Sequence, residues 1–212
     1  MILALVLGVA ALAAAPAPGA AKATWQAAFP SAGGHRRVSL TAVLEDRQGQ
    51  QHQLRLWREG GHLRRDTEQT RIFGERGAAG ESYLVEQRSA GRAYHVSQAN
   101  LHRLGMFTGW DALASLLAQP RGEPRVSLLA GAPARTAFGP CRRWEVEGAG
   151  LRVCWSDALG LPLEVEEKRG EQWKQTLRIE RLETGPIAKA TWSVPRGLRI
   201  IDLDAELERG GD

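Results

Sequence analysis

The sequence predicts a mainly β fold of the α+β type, in which a curved antiparallel sheet forms an unclosed barrel covered by one or a few short helices. Apolar and polar residues alternate in many short runs, which is the period of a strand with one apolar face. Gly-rich turns separate these runs at the spacing of an antiparallel meander. Few helical segments are available to bury the apolar faces, so the sheet must curve around them. A two-sheet sandwich is the alternative architecture.

The N-terminal half is predicted to contain six strands joined by turns. Each run alternates with a period of two or is rich in β-branched and aromatic residues. Polar or Gly-rich stretches at 45–50, 59–61, 74–80 and 89–91 separate the runs. The predicted strands are centred on residues 38–44, 54–57, 63–66, 72–73, 83–85 and 93–96.

One helix is predicted to interrupt the strands before Pro120. Thr108 can cap its N-terminus and Asp111 follows three residues later, a spacing that resembles a capping box. Shorter helical segments are expected at 24–29 and 100–106. The apolar face of the main helix would consist of three leucines, Leu113, Leu116 and Leu117.

Further alternating runs in the last third of the chain predict the remaining strands. In the first hairpin, Cys141 and Cys154 lie opposite each other if the turn is residues 147–148. Opposed side chains on one face are close enough for a disulfide, and Arg143 and Arg152 would share that outward face. Redox-active or metal-binding cysteines are the alternatives, but the chain has no C-x-x-C spacing. We therefore expect a structural disulfide.

The N-terminus is typical of a secretory signal peptide. Residues 2–15 are apolar without a break, and this run of 14 residues is too short to span a bilayer. Small residues follow, and residues 21–23 fit the A-x-A cleavage pattern. We expect a signal peptide at 1–21 and a single domain at 22–212, exported to the periplasm as a soluble protein without a lipid anchor. A buried or membrane-anchoring helix is the alternative.

The basic residues are mostly arginines. The chain carries a net charge of +4, and 24 of its 28 basic residues are arginine. An anionic partner, such as lipid headgroups or nucleic acid, is one interpretation. The other is a genome that favours arginine codons, and the even spread of the arginines among acidic residues supports it. We therefore expect no nucleic-acid partner, whereas peripheral contact with a membrane stays open.

Catalytic motifs are missing from the sequence. The five histidines are scattered, and neither a G-x-S-x-G elbow, nor a P-loop, nor a dinucleotide-binding glycine pattern is present. The acidic cluster at 164–167 falls in an alternating strand, where it forms the polar face. We therefore expect a protein that is not an enzyme, with no catalytic residues, no metal ligands and no cofactor.

Four stretches in order, at 54–66, 82–96, 159–165 and 190–197, resemble the LolA/LolB-like family of periplasmic lipoprotein carriers and their relatives. In the last stretch Trp192 stands where the family usually has phenylalanine. The resemblance implies a half-barrel whose concave face, covered by helices, binds acyl chains of lipids or lipoproteins. It also implies that Arg64 is the candidate latch of the helical lid. Some relatives are stress sensors that bind a partner protein instead.

We therefore expect an exported binding protein that shelters an apolar ligand, a lipid or a lipoprotein acyl chain, on the concave face of its sheet. The alternative is an envelope protein-interaction or stress-sensor module with a periplasmic protein partner. The predicted apolar lining consists of Leu54, Leu56, Leu63, Tyr83, Val85, Leu113, Leu116, Leu117, Leu163, Val165, Trp173 and Leu177.

Overall fold

The structure is a computed structural model that describes residues 22–30, 37–103 and 109–209. The predicted signal peptide and Thr108 lie outside the described residues. In chain order the strands are β1 (Lys22–Ala23), β2 (Val38–Glu45), β3 (Gln51–Glu59), β4 (His62–Asp66), β5 (Thr70–Gly77), β6 (Gly80–Gln87), β7 (Arg92–Ser97), β8 (Val126–Leu128), β9 (Ala134–Thr136), β10 (Gly139–Val146), β11 (Leu151–Ser156), β12 (Leu161–Arg169), β13 (Gln172–Glu183) and β14 (Arg199–Asp202). The helices are α1 (Trp25–Ala28), α2 (Gln98–Arg103), α3 (Trp110–Ser115) and α4 (Leu203–Arg209), and 3₁₀ turns cover Arg88–Ala90 and Lys189–Trp192.

One large unclosed sheet holds the fold together, as the alternating pattern predicts. Its order is β1-β8-β10-β11-β12-β13-β2-β3-β4-β5-β6-β7-β14, with β9 paired to β10. The neighbours pair antiparallel except for β14, which runs parallel to β7. A contact across the sheet indicates that it curves. Arg58 of β3 reaches the carbonyl of Leu159, just before β12, although two strands lie between β3 and β12 in the sheet.

The inner face of this curved sheet carries a single apolar core. Side chains from both halves of the sheet and from α1, α2 and α3 belong to one buried cluster. Burial at about 25 cal/mol per Å² of apolar surface is the main stabilising term for such a core. The most buried side chains include Val38, Leu54, Leu56, Leu63, Val96, Leu101, Leu113, Trp155, Leu161 and Leu163.

The helices that cover this face are shorter than the sequence predicts. Helix α3 begins at Trp110 after Gly109 and ends at Ser115, and the next residue, Leu116, has a left-handed φ of 58°. A left-handed residue stops the helix. Leu116 and Leu117, which were predicted to belong to its apolar face, therefore lie after its end. Helix α1 forms as expected, and the Thr24 hydroxyl caps it by accepting from the Ala27 amide.

The cysteine hairpin forms with its disulfide, but in a different register from the predicted one. Cys154 pairs with Arg143 and Val146 with Leu151, so the loop spans four residues instead of two. The predicted direct opposition of the cysteines is therefore wrong: they lie diagonally, with a Cα–Cα distance of 5.3 Å. The two-residue turn fits the alternating pattern of the sequence equally well, because a register shift of two residues keeps every side chain on the same face of the sheet.

Trp173 lies on the outer face, so its predicted place in the apolar lining is wrong. The register of β12 and β13 shifts after Val165, and the extra residue in β13 reverses the faces beyond it. Trp173 consequently stacks under the Arg152 guanidinium, at 3.9 Å from the ring centroid. A period-two pattern cannot reveal such a bulge.

The connection at 184–198 runs over the outer face of β4. The Arg64 guanidinium donates to the Thr191 carbonyl at 2.8 Å, and the rings of His62 and Trp192 lie 5.8 Å apart. Phe73 is buried on this outer face, only 8% exposed. The connection therefore covers part of the outer face.

Candidate functional site

Eleven of the twelve predicted lining residues face the core side of the sheet or belong to the covering segment. Ten of them are buried in the single apolar cluster, and Leu116 is half-buried at the end of α3. They contact one another and the helices, so the inner face is filled by the protein's own side chains. The ten are Leu54, Leu56, Leu63, Tyr83, Val85, Leu113, Leu117, Leu163, Val165 and Leu177.

A cleft lies between α1 and α3 with the segment that follows it, and buried core residues contribute to its lining. Its volume is about 410 Å³, within the range of small-molecule sites. The amides of Gln26 and Gln119 approach to 3.5 Å across it. The cleft is lined by Trp25, Gln26, Phe29, Asp111, Ala112, Ser115, Leu117, Gln119, Pro120 and Arg121.

Helix α1 and the residue after it cover the C-terminal half of the sheet with aromatic rings. The Phe29 ring lies 5.3 Å from Trp155 and 6.2 Å from Trp144, both edge-on. The indole N–H groups of both tryptophans are buried and meet no acceptor among the described residues. Buried donors without acceptors cost free energy, about 1–3 kcal/mol each. They would therefore favour a ligand that brings an acceptor oxygen.

Arg58 holds the C-terminal end of α3 against the sheet. Its guanidinium is 2% exposed and donates to the carbonyls of Ala114 at 2.8 Å and Leu159 at 2.7 Å. The carbonyls at a helix end lack partners within the helix, so a guanidinium is a natural ligand for them. Sequence reasoning missed this contact, although Arg58 continues the inner-face row of Leu54 and Leu56 at a spacing of two.

The N-terminal end of α3 is held by a second polar group. The Glu81 carboxylate accepts from the Trp110 amide at 3.3 Å and from the Tyr83 hydroxyl at 2.7 Å. Burial and this bond to Glu81 raise the pKa of Tyr83. Arg76 pairs with Glu81 and lies 4.9 Å over the Trp110 ring. Helix α3 is thus held at each end by polar contacts.

Trp110 packs into a space that a glycine leaves on the sheet. A Cβ atom at Gly74 would lie 3.3 Å from both the Trp110 and the Tyr83 rings. These contacts are tight for a side chain, so glycine lets the indole approach the backbone of β5. The sequence pattern marked Gly74 only as the start of a turn.

Arg64, the predicted lid latch, lies on the outer face and does not contact α3. It makes a bidentate pair with Asp66, at 2.9 and 2.6 Å, and reaches the 184–198 connection. Burial raises the pKa of Asp66, but the bonds and charges of Arg64 and Arg71 outweigh it and hold that pKa below its ordinary value. The prediction for Arg64 is therefore wrong. Its side chain points away because Leu63, its neighbour, takes the inner face.

One group of potential metal ligands exists among the described residues. His95, Asp202 and Asp204 bring their ligand atoms within 4.8 Å of one another. The Asp204 carboxylate already accepts from the Ser97 amide at 2.9 Å and the Asn100 amide at 2.7 Å. These bonds hold Asp204 in place without an ion. Burial raises the pKa of Asp204, but the hydrogen bonds from Asn100 and Ser97 outweigh this effect and leave the pKa below its ordinary value.

Within the described residues, no helix has the length and apolar character needed to cross a membrane. The Cys141–Cys154 disulfide is compatible with an oxidising compartment.

Comparison with known proteins shows the fold alone. A crystal structure titled as an uncharacterized conserved protein from Thermus thermophilus is similar to this chain with a TM-score of 0.52. The similarity covers 79% of this chain and 90% of that one, at 8% sequence identity. No protein-family profile and no curated protein sequence matches the chain. The architecture of an unclosed sheet with short covering helices is therefore shared with a solved protein.

Proposed function

We propose that this protein is an exported, non-enzymatic binding protein that shelters an apolar ligand, a lipid or the acyl chain of a lipoprotein, on the inner face of its sheet. The proposal rests on how little helix covers the apolar face of the sheet, and we call these helices the cover. A large apolar sheet face is covered by only three short helices, α1, α2 and α3, of four, six and six residues, with a cleft of about 410 Å³ between α1 and α3.

The cover is suited to opening because polar bonds hold α3 at both of its ends. Arg58 and Glu81 bind backbone groups of α3, and such bonds can be exchanged for bonds to water at small net cost. Exposing the apolar face is the larger cost. An acyl chain that replaces the helices there would offset it, at about 0.8 kcal/mol per buried methylene.

The buried indole groups also bear on which class of apolar ligand would bind. In the described part of the chain, the Trp144 and Trp155 N–H groups have no acceptor. A ligand with an acceptor oxygen within reach of these indoles would pair with them. A plain hydrocarbon would leave both unpaired, so the ligand class we favour is an acyl compound.

Native mass spectrometry tests this proposal directly. The protein is purified from its own cell envelope without detergent, and its mass is measured before and after organic extraction. A co-purifying lipid or acylated species supports the proposal. A bare protein mass, together with no uptake of a fluorescent palmitoyl probe, would contradict it.

A protein-interaction module is the second candidate, and one observation favours it. Strand β14 has one side free, as the last strand of the sheet, and its Ile200 side chain is 55% exposed. A free strand edge can pair with an extended segment of another protein. Ile200→Asp should then abolish capture of an envelope protein and leave lipid uptake unchanged.

A further inference from the structure

Arg65 is a charged side chain on the apolar inner face. It pairs with Leu56 of β3 and with Ile72 of β5, and opposed residues point to the same face of a sheet. Leu56 is fully buried in the core. Arg65 therefore points inward, whereas its neighbours Arg64 and Asp66 point outward.

The Arg65 guanidinium lacks a counter-charge. Its Nε atom is buried without a hydrogen-bond acceptor, and no ion pair in the described parts of the chain involves Arg65. Burial alone lowers its pKa. Arginine stays protonated in proteins, so it cannot escape this cost by neutralisation. A charge held among apolar side chains is unfavourable unless an opposite charge joins it.

The position of Arg65 fits the headgroup end of an acyl ligand. One row of inner-face residues (Leu63, Gly74 and Tyr83) is buried next to Trp110 of α3. In the adjoining row Leu56 and Val85 are buried, whereas Arg65 and Ile72 are half-buried. The two rows are about 7 Å apart, since each strand residue rises about 3.3 Å. A chain lying under α3 would thus place its head beside Arg65.

We propose that Arg65 binds the anionic headgroup, a carboxylate or a phosphate, of an amphiphile whose acyl chain lies under α3. This inference rests on the proposed function and names its ligand class: an anionic lipid instead of a neutral one. The bond is a charge-assisted pair, which is strongest where water is excluded.

Paired ligands that differ only in headgroup charge test the inference. Binding of oleate, oleoyl lysophosphatidic acid and methyl oleate is measured by displacement of a fluorescent palmitoyl probe. The wild-type protein should bind at least one of the anionic ligands about tenfold more tightly than methyl oleate. Which anion binds tighter separates a carboxylate from a phosphate headgroup.

Variants assign that preference to Arg65. Arg65→Gln should remove it and leave methyl oleate binding unchanged, whereas Arg65→Lys should retain most of it. Arg55→Gln is the matched control, because Arg55 is an exposed arginine on the outer face of the neighbouring strand β3. It should change none of the affinities.

Two outcomes separate this inference from the function on which it rests. Equal binding of both anionic ligands and methyl oleate to the wild type, or an unchanged preference in Arg65→Gln, would overturn the headgroup site and leave lipid binding intact. Failure of all three ligands to displace the probe, or of the probe to bind, would overturn both.

Discussion

Arg58 and Arg65 show how single residues set the properties of the inner face. Both follow apolar residues at a spacing of two, and both therefore point to the core. The two Nη atoms of Arg58 donate to carbonyls, whereas no hydrogen bond or ion pair within the described residues involves Arg65. Arg58 therefore holds the C-terminal end of α3 against the sheet, and Arg65 is the residue that we propose to bind an anion.

Replacing Arg65 by an apolar residue should stabilise the ligand-free protein. Arg65→Met removes a partly buried charge and keeps much of the side-chain volume, so we expect a gain of about 1 kcal/mol in the free energy of unfolding. Urea denaturation of the delipidated protein measures it. A loss of stability comparable to that of a core truncation would show that Arg65 has a structural partner.

Asp66 should make stability depend on acid pH. Its folded pKa lies below its ordinary value, so its contribution is complete above about pH 4 and is lost as the pH falls through the folded pKa. Asp66→Asn should lower the melting temperature at neutral pH, and the gap to the wild type should close as the pH falls below about 4. Thermal melts from neutral to strongly acidic pH test this. A gap that stays constant over that range would contradict the assignment.

The inner-face leucines could be predicted from the sequence because burial of one face imposes a period of two. The two inner arginines could not, since a charged residue at the end of an apolar run is typical of a strand end. Trp173 was misplaced for another reason. A single extra residue in β13 reverses its face, and no local signal marks that residue.

At the scale of elements, α3 is the part of the cover whose attachments can be tested singly. Arg58→Met should lower the free energy of unfolding by about 1–3 kcal/mol, because it leaves the Ala114 and Leu159 carbonyls without this donor. It should also raise the apparent affinity for an acyl probe, since opening the cover costs less.

Arg55→Met is the control for that variant, as it removes an exposed guanidinium from the outer face of the same strand. Probe titration and urea denaturation are run on both variants. Destabilisation by Arg58→Met without any change in probe affinity would show that α3 is a fixed part of the core and not a cover.

The disulfide joins β10 to β11, and neither cysteine lines the cleft between α1 and α3. It closes a loop with a sequence separation of 13, which stabilises the fold by about 3 kcal/mol through the unfolded chain. The double variant Cys141→Ser/Cys154→Ser should lower the urea midpoint accordingly and leave probe affinity unchanged. An unchanged midpoint would show that the hairpin is held by its strand pairing alone.

The lengths of the covering helices were harder to predict from the sequence than the presence of the strands. A capping pattern and three leucines predict a longer helix, but Leu116 adopts a left-handed conformation that ends α3 early. Tertiary packing decides this, because turning the chain there places Leu117 in the core. Propensity and pattern describe only local preferences.

At the scale of the whole molecule, the sheet joins segments that are far apart in sequence. Strand β13 pairs with β2, and β14 pairs parallel to β7 at the sheet's end. The alternating pattern predicted the mainly β fold and its unclosed character. It could not predict the strand order or the connection over the outer face, because pairing between distant strands depends on the complete fold.

The central claim is that the inner face admits an acyl chain when α1 and α3 separate. Locking the two segments together tests it most directly, because Gln26 and Gln119 face each other across the cleft. In the variant Gln26→Cys/Gln119→Cys, a short bis-maleimide joins the segments, and N-ethylmaleimide modifies the same residues without joining them. Uptake of a fluorescent palmitoyl probe is then measured for both forms. We predict that the cross-linked protein loses uptake and the singly modified protein retains it, whereas equal uptake by both forms would contradict the claim.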